Sequence, residues 1–165
     1  MLTSNEREMF ALRVMTEVRR WSGVEMRAHP SAEQDGEDDG VEFRLAGRQL
    51  GHMHTTCAVH LSLTKALKKS VISEELAEPL TTSPESAWTM FNPISPDDAD
   101  RAIWLLRLNY VRFRRQRLTL DAAASSALVQ EHEAALATIS SGVTTILRQT
   151  QRRSKARPLP ELPAL

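Results

Sequence analysis

The order of local patterns along these 165 residues predicts an α+β fold: a curved antiparallel sheet covered by helices, with a long additional C-terminal helix. Three observations carry that expectation. Val41, Phe43 and Leu45 alternate with Glu42 and Arg44, and after Gly47 a second short run ends at His54, the pattern of a β-hairpin. Apolar residues recur at helical spacing on either side of it, from Phe10 to Trp21 and again after Ser95-Pro96. Between the two, Ala87-Trp88-Thr89-Met90-Phe91 is rich in aromatic and β-favouring residues and supplies a further strand.

Taken in order, the first element is a helix from Ser4 to Trp21. Thr3 and Glu6 have capping-box spacing, Phe10, Val14, Val18 and Trp21 fall on one face, and Gly23 is the stop. A strand from Val24 to His29 leads through Pro30 into Ser31 to Gly40, which has no apolar residue larger than alanine and reads as a solvated loop. Its acids lack the alternating spacing and terminal glutamate of an EF-hand, so a charged surface loop is expected rather than a calcium site. In the hairpin, register decides what the two histidines do. A two-residue loop puts Leu50, His52 and His54 on the face of Val41, Phe43 and Leu45, beside the apolar core or at the edge of a pocket in it. A three-residue loop reverses the faces and exposes them.

Ala58 to Leu63 fits another strand, and Thr64 caps a short helix through Lys69 or beyond. Ala77-Glu78-Pro79-Leu80 reads as a turn on the way to the Trp88 strand. Ser95 at the N-cap, Pro96 at the first helical position and Asp97 and Asp98 behind it start a helix running to about Arg117. It buries Ala99, Ala102, Ile103, Leu106, Tyr110 and Phe113 and turns its arginines outward. From about Ala122 to Gln151 a last helix carries Leu128, Leu136, Ile139, Val143, Ile146 and Leu147, weakened midway at Ser140-Ser141-Gly142. The organisation expected is an α+β domain over 1–120, a helix over 121–153 that covers the domain or makes a homodimer, and a disordered proline-rich tail over 154–165.

Composition bounds the function. With 41% hydrophobic and 25% charged residues the chain suits a soluble domain, and 21 basic against 21 acidic residues argue against bulk attraction to DNA or membrane. One cysteine excludes an intramolecular disulfide, and with no secretory or membrane-spanning run in view a cytoplasmic protein is expected.

His52 and His54, two apart on a strand, project to one side, and histidine suits proton transfer, metal ligation or polar contact near neutral pH. With Glu42, Arg44 and Trp88 nearby in the sheet they form the candidate ligand-binding site. They also supply two metal ligands, with His60 or Glu42 as a conceivable third. Two histidines without a matched third ligand are a weak signal, so neither a metal nor another cofactor is expected. Cys57 reads as a small buried hydrophobe rather than a nucleophile, and Trp88 and Trp104 have core-packing spacing. Arg107, Arg112, Arg114, Arg115 and Arg117 gather toward the end of the Pro96 helix; a solvated face is the simpler reading, and nucleic-acid contact the alternative.

In order along the chain, Gly40-Val41-Glu42-Phe43, Gly51-His52-Met53-His54, Ala77-Glu78-Pro79, Ser86-Ala87-Trp88 and the run from Ala102 to Tyr110 resemble the bacterial luciferase-domain family, small domains related in sequence to a fungal bioluminescence enzyme. The resemblance spans about Val18 to Arg117 and implies a fold more than a reaction. A tryptophan strand followed by an acid-capped helix ending near Asn109-Tyr110 is also similar, more weakly, to the double-wing YjbR-type proteins associated with nucleic-acid binding. The chain departs from the luciferase-domain pattern where Thr55-Thr56-Cys57-Ala58 stands in place of glycine and an acid after the histidines. It departs again where Leu80, Thr81, Thr82 and Ala87 stand in place of a histidine and glycine before the tryptophan. What the resemblance implies is a small ligand-binding or interaction protein without full catalytic machinery, taking a small aromatic or polar ligand. The enzyme alternative is a cofactor-independent oxygenase-type reaction on an aromatic compound, in which a histidine removes a substrate proton.

Overall fold

Helix α1 (Ser4–Arg19) starts from the capping box expected of Thr3 and Glu6: the Glu6 carboxylate accepts from the Thr3 backbone N–H at 2.7 Å, and the Thr3 hydroxyl accepts from the Glu6 N–H at 3.3 Å. These and the following features come from a computed structural model, which describes residues 2–31, 37–116 and 122–155. The expected C-terminal tail lies largely outside the described residues, as does Arg117.

The strands are β1 (Val24–Pro30), β2 (Asp38–Leu45), β3 (Arg48–Met53), β4 (Val59–Ser62), β5 (Glu78–Pro79) and β6 (Trp88–Phe91), in the spatial order β1-β2-β3-β4-β6-β5 with every neighbour antiparallel. The acidic loop is shorter than its composition suggests, because Asp38 already pairs with Pro30 and the β2 ladder begins there. Glu78-Pro79, expected as a turn, lies alongside Thr89 and Met90 as a two-residue edge strand, a place where proline's missing N–H is tolerated. The α+β class is as expected.

Helices α1, α2 (Lys65–Ser73) and α3 (Ala99–Gln116, entered through a 3₁₀ turn at Pro96–Asp98) contribute to one core with the inner face of the sheet. Every residue expected to be buried on the Pro96 helix is buried, and so are Trp104, Leu105, Leu108, Asn109 and Val111. The reason is a further layer. The stretch expected as one long helix is two, α4 (Ala122–Ala137) and α5 (Ser141–Lys155). The break falls where Ser140 caps α5, its hydroxyl accepting from the Val143 N–H at 3.0 Å and donating to Glu74 at 2.6 Å. α4 packs on α3 and α5 on α2, and Val129, Leu136, Val143 and Leu147 join the same hydrophobic cluster.

One detail of register places the site. The hairpin does have the two-residue loop Ala46-Gly47, both residues at positive φ (50° and 81°) as a type I′ turn requires, and Leu45 pairs with Arg48. The histidines nevertheless do not share the face of Phe43 and Leu45. Arg44 pairs with Gln49 but Phe43 pairs with Gly51, so Leu50 is an extra residue, a β-bulge that shifts all that follows by one. His52 therefore stands opposite Glu42, and Val41 opposite Met53. Leu50 and Gly51 both turn inward; Leu50 is fully buried, and a Cβ on Gly51 would lie 2.8 Å from the His60 carbonyl. The bulged backbone is held by Asn109 of α3, whose buried amide donates to Leu50 O at 2.7 Å and Ser62 O at 3.0 Å.

Candidate functional site: a histidine cluster on the outer face of the sheet

With the register set by the bulge, the outer face carries Glu42, Arg44, Gln49 and His52 on β2 and β3, His60 on β4, and Trp88 and Met90 on β6, because residues paired across an antiparallel ladder share a face. Four of the five histidines in the chain converge there. His29 and His52 stack at 3.9 Å between ring centroids with 14° between planes. His54, one residue past β3, stands edge-on to both at 5.3 and 4.9 Å, and His60 lies 4.6 Å from His54. The Trp88 ring is 5.5 Å from His52.

Each of these rings has a polar partner. Asp39 accepts from His54 Nδ1 at 2.6 Å, while His54 Nε2 lies 3.2 Å from His60 Nδ1. An ionised carboxylate only accepts, so in the neutral state His54 is protonated on Nδ1, its Nε2 accepts from His60 Nδ1–H, and His60 keeps its lone pair on Nε2. Asp39 is fixed in turn by the Thr55 N–H at 3.3 Å and hydroxyl at 2.7 Å. Across the cluster Glu42 accepts from His29 Nδ1 at 3.3 Å and from Arg44 at 2.7 Å, and the Gln49 amide nitrogen lies 3.0 Å from His52 Nδ1.

The electrostatics favour uncharged rings at His52 and His60. Burial, followed by the charges of His29, His54 and His60, pushes His52 down to about 3, and burial followed by His54 and His29 pushes His60 down to about 4. Hydrogen bonds from His54 and Thr55 hold the Asp39 carboxyl at about 2. For Glu42 burial acts upward, but the hydrogen bonds and charges of Arg44 and His29 together outweigh it and its pKa falls. The His52 and His60 rings are thus neutral near pH 7, while Asp39 and Glu42 are ionised.

All five residues nominated from the sequence, His52, His54, Glu42, Arg44 and Trp88, lie on this face. Sequence reasoning missed His29, Asp39 and Gln49, and named His60 outside the ligand-binding set, as a conceivable third metal ligand. Those positions join the site through the pairing of β1 with β2 and through the bulge, neither of which has a local sequence signature. Four of the arginines named for nucleic acid make contacts within the fold: Arg107 pairs with Glu17 at 3.0 Å and covers Trp21, Arg112 donates to Ser62 O at 3.1 Å, Arg114 contacts Tyr110 and Ser22 O, and Arg115 pairs with the buried Glu133. Trp104 donates its indole N–H to Leu136 O at 2.8 Å within the core.

Residues 47–109 match the model of the Luciferase domain family. Over that segment the chain is similar to the luciferase-domain family. The match runs from the hairpin turn to Asn109 and takes in His52, His54, His60 and Trp88, while His29, Asp39 and Glu42 precede it. No curated protein and no solved structure matches the chain. The double-wing resemblance gains no support from these comparisons. Around the matched segment, β1 and β2 complete the histidine face, and α4 and α5 complete the core. A groove of about 650 Å³ between Met9 and Leu12 of α1 and Ile103 and Arg107 of α3 is lined without any of the clustered histidines. Among the described residues no helix is long and apolar enough to cross a membrane.

Proposed function

We propose that the outer face of the sheet is a binding site for a small polar or aromatic molecule carrying a weakly acidic hydroxyl. The observation that carries this reading is the hydrogen-bonded chain Asp39–His54–His60, which presents an unprotonated Nε2 on His60 beside an aromatic wall. A molecule donating its hydroxyl to that nitrogen would lay its ring against Trp88, the diagonal neighbour of His60 on β6. Outer sheet faces are commonly polar, but a solvated face has no need of imidazoles packed ring against ring and backed by carboxylates. The site is built for acceptance of a proton or a hydrogen bond. The oxygenase alternative begins from that same geometry, since removal of a hydroxyl proton by His60 is its first step.

The test uses metal-free protein and 4-nitrophenol, whose colour reports its own protonation. Nitrogen-15 signals of the His60 and His52 rings and of the Trp88 indole should move in a saturable way. His60→Gln and Trp88→Ala should each weaken binding about tenfold, a loss of about 1.4 kcal/mol. Signals that stay still up to the solubility of the probe would sink the reading. A shift of the bound probe toward its yellow phenolate form, absent in His60→Gln, would favour proton abstraction.

A further inference from the structure

We propose that His29, His52 and His54 bind a divalent transition-metal ion of the zinc class; this deepens the reading of the histidine face as the functional site and rests on it. One ring nitrogen from each of the three lies within 4.8 Å of the other two. A tetrahedral zinc with bonds of about 2.0–2.1 Å draws its nitrogens to about 3.3 Å apart. Closing that gap asks the stacked His29 and His52 rings to turn about their side-chain bonds toward the ion.

The second argument is what stands behind the rings. His29 and His54 each give Nδ1 to a carboxylate, Glu42 and Asp39, which fixes the rings and leaves Nε2 as the ligating nitrogen. This carboxylate–imidazole pairing is the arrangement that orients metal-ligating histidines and raises their basicity. His54 Nε2 is an acceptor toward His60, so its lone pair is already directed outward, and an ion would take that lone pair in place of the His60 N–H. For His52 the Gln49 amide needs a half-turn, presenting its oxygen to Nδ1–H so that Nε2 is free to ligate. Access is also provided. His52 is buried at the base, while the His29 and His54 side chains retain 17% and 21% of their exposure. Three protein ligands leave an open coordination position, the pattern of metal sites that bind or activate a small molecule rather than of purely structural ones.

The experiment uses the full, untagged chain stripped with a chelator and titrated with Co²⁺, read by visible d–d absorption, and with Zn²⁺, read by calorimetry. One ion per chain and tetrahedral-type cobalt bands are expected. Glu42→Gln and Asp39→Asn should weaken binding about 10–100-fold, and His29→Gln and His54→Gln by more. His60→Gln, which lies outside the ligand set, should bind the ion at least as tightly as the natural chain while binding 4-nitrophenol about tenfold more weakly. His29→Gln lies at an edge strand, and the two carboxylate variants provide the reading if a histidine variant fails to fold. No saturable cobalt binding by folded protein, or binding unchanged in His29→Gln, would overturn the inference. If 4-nitrophenol shifts persist without metal binding, this inference alone falls; if both are absent, the functional reading of the face falls with it.

Discussion

Asn109 donates to the carbonyls of Leu50 and Ser62 from inside the core, at the place in β3 where the ladder skips a residue. A bulge disturbs the ladder locally, and the Asn109 amide bonds the carbonyl of the extra residue, Leu50, while also reaching Ser62 O on β4. Asn109→Leu keeps the volume and removes the donor to Leu50 O, while Ser62 O keeps its bond from Arg112. We expect a loss of about 1–3 kcal/mol in urea denaturation, with His52 and His54 ring signals displaced because the register above the bulge loosens. Gly51→Ala acts on the same spot from the other side. Its methyl would meet Leu106 Cδ2 at 2.7 Å and the His60 carbonyl at 2.8 Å, and the carbonyl belongs to the paired strand and cannot simply rotate away. A destabilisation of about 1–3 kcal/mol is expected in the same assay, and a stable, unperturbed Gly51→Ala chain would show that β3 and β4 are less tightly apposed than described.

Helix α4 meets the rest of the molecule at His132, which is buried against the Trp21 and Tyr110 rings and faces Arg107, Arg114 and Glu17. Burial first, then Arg107 and, more weakly, Arg114, push its pKa to about 4 against the pull of Glu17. The unfolded chain takes up this proton near pH 6.5 and the folded chain near 4, so the stabilisation is complete above about 6.5, falls as pH drops toward 4, and levels off below. The full loss is of order 3 kcal/mol. His132→Phe keeps a ring and removes the titration; its stability difference from the natural chain should shift in its favour by about that amount between pH 7 and pH 4. A pH-independent difference would mean that α4 does not hold His132 as described. At this scale the sequence was informative wherever a signal was local. Thr3 with Glu6, Thr64, Ser95-Pro96 and the Ala46-Gly47 turn all announced their elements, because caps and turns are decided by a few neighbouring side chains. The pairing of β1 with β2, the edge strand at Glu78-Pro79 and the extra residue at Leu50 depend on which distant backbone is alongside. That is why His52, His54, Glu42, Arg44 and Trp88 were legible as a group while the face they occupy was not, and why His29 and Asp39 stayed hidden.

Taken whole, the molecule is a sheet whose inner face is sealed by α1 and α3 and whose helical side is closed by α4 and α5. Val129, Leu136, Val143 and Leu147 are each almost completely buried, and at about 1.5–3 kcal/mol per side chain their burial is worth roughly 6–12 kcal/mol as an upper figure. That is comparable to the whole stability of an ordinary domain, about 5–15 kcal/mol. A chain ending at Asp121 is therefore expected to lose its cooperative urea transition and its dispersed NMR spectrum, even though the match to the luciferase domain ends before that point. A folded, monomeric truncated chain of undiminished stability would contradict this. The single thiol has its own use in this architecture. Cys57 closes the turn from His54, is 2% exposed, and has its pKa raised, burial outweighing the nearby Arg7. In the closed turn it is inert, so a chromogenic disulfide reagent will colour only as fast as the turn swings open. Anything that settles among the neighbouring histidines must slow that clock, and the natural sequence thus contains a built-in occupancy gauge that needs neither a label nor knowledge of what is bound.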